Sequence, residues 1–284
     1  MAEPQPPRVL DARLNAMRPD LAAAHLHGQV AAESFVAGRR RAIVAASAPL
    51  RRRPAIAAPL DTEALHGEAV VVYEEKPDFV WGQLERDGYV GYIPTTALGE
   101  PVAPTHRVAV LRTHAYPGPS IKAPPRLAIS FGANVAIARF EGDFAVTADG
   151  AHFYARHLAP LETVEPDFVA VAERFVGAPY LWGGRTSEGI DCSGLAQTAL
   201  RAAGIDAPRD SDLQERELGL AVDGDLRRGD LVFWRGHIGI LSEPATLLHA
   251  NGFHMLVVKE NFAEAKARIA ANGGGAVTAI KRIL

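Results

Sequence analysis

Three hydrophobic patterns follow one another along the chain. Between residue 31 and about 104, short apolar runs alternate with turn signals. VVVYEE, FVWGQLE and YVGYIP read as strands of a small β-barrel, and Pro101 and Pro104 punctuate its end. A second β segment begins at Arg107, with VAVL, NVAIARF and FAVTADG. It repeats the first: Gly67 aligns with Gly132, Asp78-Phe79 with Asp143-Phe144, Asp87-Gly88 with Asp149-Gly150, and Leu98 with Leu158. The offset of about 60–65 residues predicts two copies of one barrel. Residues 1–30 precede them as a polar lead and a short helix, DLAAAHLHGQV, and PLETVEP (160–166) follows them as a linker.

The period then changes. Phe168, Val169, Val171, Ala172, Phe175 and Val176 recur at helical spacing, and Gly177 stops that helix. A Gly-rich loop, PYLWGGRTSEGI, leads into a second helix, SGLAQTALRAAG, with Leu195, Ala196, Ala199, Leu200 and Ala203 on one face. DLVFW, HIGIL, TLLHAN and VTAIKRIL read as strands. Helices first and antiparallel strands after is an α+β order. Four segments are expected: a lead over 1–30, barrels over 31–104 and 105–162, and an α+β unit over 163–284.

Composition narrows the function classes. Of 284 residues, 48% are hydrophobic and 22% charged, and the formal charge is −3. A nucleic-acid partner calls for a basic domain, so none is expected. Arg39–Arg41 and Arg51–Arg53 read as solvated strand flanks. The apolar-rich run AIVAASAPL (42–50) falls far short of the ~20 residues that span a bilayer, so no membrane partner is expected. Prolines and charges occupy the first residues where a secretory signal needs an apolar stretch, which predicts a cytoplasmic protein. The cytoplasm also keeps thiols reduced.

The chain has one cysteine, Cys192, so no disulfide can form within it. A lone cysteine is commonly an inert core residue. This one opens the second helix, where amide donors and partial positive charge favour a thiolate. A nucleophile also needs a base. His237 begins HIGIL after the tight Arg235-Gly236 turn, and Gly239, two residues on, leaves room beside its ring. His249 lies 12 residues later in LLHAN, and adjacent antiparallel strands would set the imidazoles side by side, His249 orienting His237. The other histidines lack zinc-ligand spacing, and no metal or other cofactor is implied.

YLWGG, DCSGL, RGDLVFW, GHIGIL and LLHAN, in this order, resemble the NlpC-type papain-like cell-wall cysteine peptidases over residues 165–284, and the two barrels resemble bacterial SH3-like domains. The resemblance implies a papain-like helix packed on an antiparallel sheet, with Cys192 as nucleophile, His237 as base and His249 as third member. It implies cleavage of γ-D-glutamyl–diamino acid bonds in peptidoglycan stem peptides. The SH3-like modules point to the subgroup that acts on small muropeptides with a free L-alanine during wall recycling. There, acidic and hydroxyl groups hold the amine, and Asp191, Ser211, Glu68 and Tyr89 are the candidates. The Cys192 amide and the Tyr180 hydroxyl would meet the oxyanion. Arg209 and Gln214 either touch substrate carboxylates or order their loop, and Trp182 is expected to pack. Two other readings compete: a retired peptidase that only binds wall peptides, and a hydrolase of intact wall.

Overall fold

The structure, a computed structural model, describes residues 10–283. Residues 1–9 of the expected lead lie outside them. In the first barrel, side chains that alternate between core and water demand strands. Seven form one antiparallel sheet: Arg39–Ile43, Ser47–Arg51, Leu60–Leu65, Ala69–Glu75, Phe79–Leu84, Val90–Pro94 and Leu98–Gly99. Ile43, Leu50, Val70, Val80, Leu84 and Ile93 fill its interior. The arginines at the start of the first strand pair outward, Arg39 with Glu100 and Arg40 with Glu85.

Shorter strands between His106 and Pro160 build three small antiparallel sheets around Val108, Ile129, Val135 and Phe153. Leu65 of the first barrel is buried in this second core.

The expected helix over residues 20–30 does not form. Leu21–Ala23 is a strand paired in parallel with Ser34–Val36, and Ala24–Leu26 is a single 3-10 turn. So short an apolar stretch cannot support the cost of helix nucleation. Burial of Leu21, Ala23 and Leu26 against Trp81 decides its conformation instead.

The C-terminal region takes up the α+β order. It has four helices: α1 (Phe168–Glu173), α2 (Cys192–Ala202), α3 (Ser211–Glu217) and α4 (Phe262–Ala271). Its six-stranded antiparallel sheet runs Leu220–Ala221, Ala279–Arg282, Leu231–Trp234, His237–Glu243, Thr246–Asn251, Leu256–Asn261. Leu195, Ala196, Ala199 and Leu200 of α2 share a core with Phe233, Ile238, Ile240 and Leu248. Val232, Trp234, Leu241 and Leu247 point to the other face, against Phe262 and Ala265 of α4. The unexpected elements include α3, the strands Leu220–Ala221 and Leu256–Asn261, and α4, which Asn261 caps through the amides of Ala263 and Glu264. Among the described residues no helix is long and apolar enough to cross a membrane.

Ten of the eleven residues of α2 are buried, although only one side of the helix is apolar. The polar side is covered by the first barrel: Gln197 donates to Asp87 (3.1 Å) and Arg201 to the Arg86 carbonyl (2.9 Å). The helix bearing Cys192 is thus clamped between a sheet and a barrel.

Candidate active site

Cys192 is the first residue of α2, so its amide has no acceptor within the helix. Asp191 caps the helix, accepting from the Gly194 amide at 2.7 Å. Gly194 permits close packing: a Cβ there would lie 2.5 Å from the Gly184 carbonyl and 2.9 Å from Asp191 Oδ1. The Ile238 amide is directed at the cysteine sulfur, which puts the start of the His237–Glu243 strand beside it.

His237 and His249 meet as their strands suggested. His237 Nε2 and His249 Nδ1 are 2.8 Å apart. Their strands are antiparallel, with Ile240 opposite Leu248, so Gly239 falls opposite His249. A Cβ at Gly239 would come within 2.6 Å of Leu247 and 3.3 Å of the His249 Cβ. The contact continues beyond His249. Its Nε2 lies 2.6 Å from Glu260 Oε1, and Arg268 donates to both oxygens of that carboxylate. Sequence reasoning stopped at His249. Glu260 is the penultimate residue of the strand Leu256–Asn261 and Arg268 sits in α4, two of the elements that the pattern had not announced.

The charge state at this site departs from expectation. Burial pushes the Cys192 thiol up to about 12, and the Asp191 carboxylate adds to it; the Ile238 and Ser193 amides and Arg209 pull the other way without prevailing. Burial likewise holds His237 down at about 3, with neighbouring His249 acting in the same direction. Burial thus favours the uncharged form of each group, against the thiolate that the helix N-terminus favours.

Of the residues expected to bind substrate, three are committed elsewhere. Arg209 is 1% exposed and all its donors are used. Nε–H donates to Thr62 Oγ1, and the two amino groups donate to Asp191, Ser193 Oγ and the Gly184 carbonyl. Asp191 is its counterpart: besides Arg209 it accepts from the Gly183 and Gly194 amides, which leaves its carboxylate saturated. Glu68 is buried, with Arg185 and Arg86 on its carboxylate and the Leu65 amide donating to it. In all three, a polar group taken from water is already paired by protein partners. Gln214 orders its loop by donating to the Ser193 and Pro208 carbonyls. Trp182, expected to pack, is 63% exposed.

Two expected residues stay available, and one was missed. Ser211 opens α3, and its hydroxyl makes no hydrogen bond to the described residues. The Tyr180 phenol has no such partner either; burial pushes its pKa up, and nearby Cys192 and Asp191 add to that. Tyr89 donates from the first barrel to Asp210 Oδ2 at 3.1 Å. Asp210 is the missed residue. It stands at the N-cap of α3 but makes no side-chain cap, because its carboxylate turns to Tyr89 and Arg13 instead. Both contacts use Oδ2, and Oδ1 takes no hydrogen bond from the described residues. Burial raises its pKa. The sequence signal was present: an aspartate next to Ser211 where a helix begins.

Comparison with known proteins agrees with this architecture. The bacterial dipeptidyl-peptidase SH3 domain model matches residues 50–98, and the NlpC/P60 family model matches residues 177–269. The gamma-D-glutamyl-L-lysine dipeptidyl-peptidase of Bacillus cereus is 31% identical over 206 residues, covering 62% of this chain and 60% of that protein. The enzyme of the same name from Bacillus subtilis is 27% identical over 215 residues, covering 67% of this chain and 72% of its own. A crystal structure of an NlpC/P60 family protein from Bacillus cereus shares the fold, with a TM-score of 0.72 at 21% identity over 87% of this chain and all of that one. The chain thus joins a bacterial SH3-like domain to an NlpC/P60 domain of papain-like α+β architecture.

Proposed function

We propose that the chain is a cysteine endopeptidase that cleaves the γ-D-glutamyl–diamino acid bond of peptidoglycan stem peptides, with small muropeptides bearing a free N-terminal L-alanine as substrate. The observation that carries this reading is the coincidence of Cys192 at a helix start, directed at the strand of His237 and His249, with the half-free carboxylate of Asp210 beside Tyr89. An ammonium group taken out of water requires acceptors, and Asp210 with Tyr89 and Ser211 offers them. Asp210 thus takes the role first expected of Asp191 and Glu68.

In this mechanism His237 accepts the Cys192 proton as sulfur attacks the γ-D-glutamyl carbonyl, so the thiolate forms only in the act. The Cys192 amide and Tyr180 hydroxyl receive the oxyanion. His237 protonates the departing amine, and water then releases L-Ala-γ-D-Glu from the sulfur. A free peptide substrate and a reduced thiol suit a cytoplasmic setting.

The test is hydrolysis of L-Ala-γ-D-Glu-diaminopimelate, followed by release of the diamino acid. Wild type should cleave it, and Cys192→Ala should not. Equal rates for the two would overturn the mechanism. Acetylating the alanine amine should abolish cleavage; an unchanged rate would remove the amine pocket from the reading. Intact sacculi, assayed in parallel, should be cut poorly.

A further inference from the structure

Beyond His249 the site continues into groups that neither the motif nor the family resemblance names. Glu260 Oε1 lies 2.6 Å from His249 Nε2 and Arg268 grips the same carboxylate. A second group competes for that nitrogen: Asn251 Nδ2 is 3.0 Å from it. The orientation of Asn251 is fixed, because its Oδ1 accepts the His254 amide at 2.9 Å and the amide group is an obligatory donor. So an NH2 group and a carboxylate both face one ring nitrogen. The NH2 needs that nitrogen bare; the carboxylate needs it protonated.

The carboxylate prevails. Burial alone would raise the Glu260 carboxyl, but His249 and Arg268 outweigh it and hold it at about 2, so it has no proton to give. A charge-assisted hydrogen bond is roughly twice as strong as a neutral one. His249 therefore carries its proton on Nε2. One proton per neutral ring leaves Nδ1 bare, and that atom lies 2.8 Å from His237 Nε2. His237 must then donate from Nε2, which leaves its Nδ1 bare as the ring nitrogen able to act as a base. Without Glu260 the order reverses. Asn251 would donate to His249 Nε2, His249 would donate from Nδ1, and His237 would hold its proton on Nδ1, where a base needs a lone pair.

We infer that Glu260, held by Arg268, is a positioning residue: it sets the tautomers of His249 and His237 in series, so that His237 presents an unprotonated nitrogen to Cys192. The inference rests on the cysteine-peptidase reading for its effect on rate, but not for the tautomers themselves.

Two measurements decide it. In 15N-histidine-labelled wild type, two-bond 15N–1H correlation at neutral pH should show His249 and His237 both as the Nε2–H form. An Nδ1–H form at His249 would overturn the inference, whatever the activity. In Glu260→Leu, both rings should shift to Nδ1–H. With L-Ala-γ-D-Glu-diaminopimelate, kcat should fall by at least about 10²-fold with KM little changed; a wrong catalytic tautomer in a Ser-His-Asp triad costs about 10⁴-fold. Asn251→Ala added to Glu260→Leu removes the competing donor, and should recover at least about tenfold of the lost kcat. A purely structural role predicts no such recovery, and an unrecovered kcat with unchanged tautomers would sink the proposal. If wild type fails to cleave the tripeptide, the peptidase reading falls while the wild-type tautomers still judge Glu260. If Glu260→Leu does not fold, the wild-type spectrum decides alone.

Discussion

Two arginine-held carboxylates lie on opposite sides of the fold that carries Cys192, and in the proposed mechanism they do opposite work. On the barrel side, Glu68 is gripped by Arg185 and Arg86, and the Leu65 amide takes up its remaining capacity. On the far side of the sheet, Arg268 grips Glu260, and the remaining bond goes to an imidazole. The first carboxylate ends in charge, so it can only fasten one unit to another. The second ends in a nitrogen that exchanges protons, so its charge is transmitted to the chemistry. The last partner in the chain separates a fastening from a control, and sequence composition cannot reveal it.

The comparison breaks most sharply by mutation. His237→Ala should lower kcat by about 10⁴-fold or more while the melting temperature stays near wild type; a loss under tenfold on the tripeptide would remove His237 as base. Glu68→Ala should do the reverse. Removing one partner of a buried ion pair costs about 3–5 kcal/mol, because Arg185 is left charged and unpaired. The melting temperature should fall by on the order of 10 °C, with kcat near wild type in the folded fraction. A kcat loss without destabilisation would return Glu68 to the substrate pocket.

Smaller effects sharpen the same contrast. Tyr89→Phe should raise KM for the free-amine tripeptide by roughly tenfold, the value of one net hydrogen bond at a charged group, with little change in kcat. Kinetics on that variant check it. Alkylation of Cys192 by iodoacetamide should stay slow through neutral pH and rise only above about pH 9, since burial places the thiol near 12. A rate plateau below pH 7 would mean a resting thiolate–imidazolium pair and refute the neutral one.

Acid should loosen the two sides in order. The folded pKa of both site histidines is lowered from 6.5, so their contribution is full above pH 6.5 and declines below it, as the unfolded chain takes protons the folded one refuses. The Glu68 carboxyl sits at about 2 against an ordinary 4.5, so its stabilisation is full above pH 4.5 and is lost as pH falls toward 2. Hydrogen exchange should therefore rise first around His237 and His249 and later at the seam of Glu68 and Arg185. Loosening of that seam first would contradict the assignment.

Much of the architecture was legible because local pattern and tertiary packing agree there. Period-two alternation marks the strands that carry Val70, Val80 and Ile93, and helical spacing marks α2. The meeting of His237 and His249 was legible from a glycine at the right offset between two strand-like runs. What remained hidden depends on long-range pairing. Asp191 and Arg209 are 18 residues apart, Glu68 and Arg185 are 117 apart, and nothing local tells a saturated carboxylate from a free one. Asp210 illustrates the same limit, since an aspartate before a helix reads as a cap until its side chain is seen to point elsewhere. Glu260 was hidden because α4 and the strand before it are mostly exposed, which blurs their hydrophobic period.

The clamping of α2 between sheet and barrel has a consequence for selectivity. Opening the barrel away from the helix would strand Arg185, whose partners all lie in the barrel, and would leave Arg209 without Thr62. On the proposed function, the wall that bears Tyr89 would then resist a longer peptide, and the span from that wall to the sulfur would act as a ruler. In the proposed reaction, such a ruler counts two residues from a free amine to the bond that breaks. Chain length is then measured before any chemistry begins.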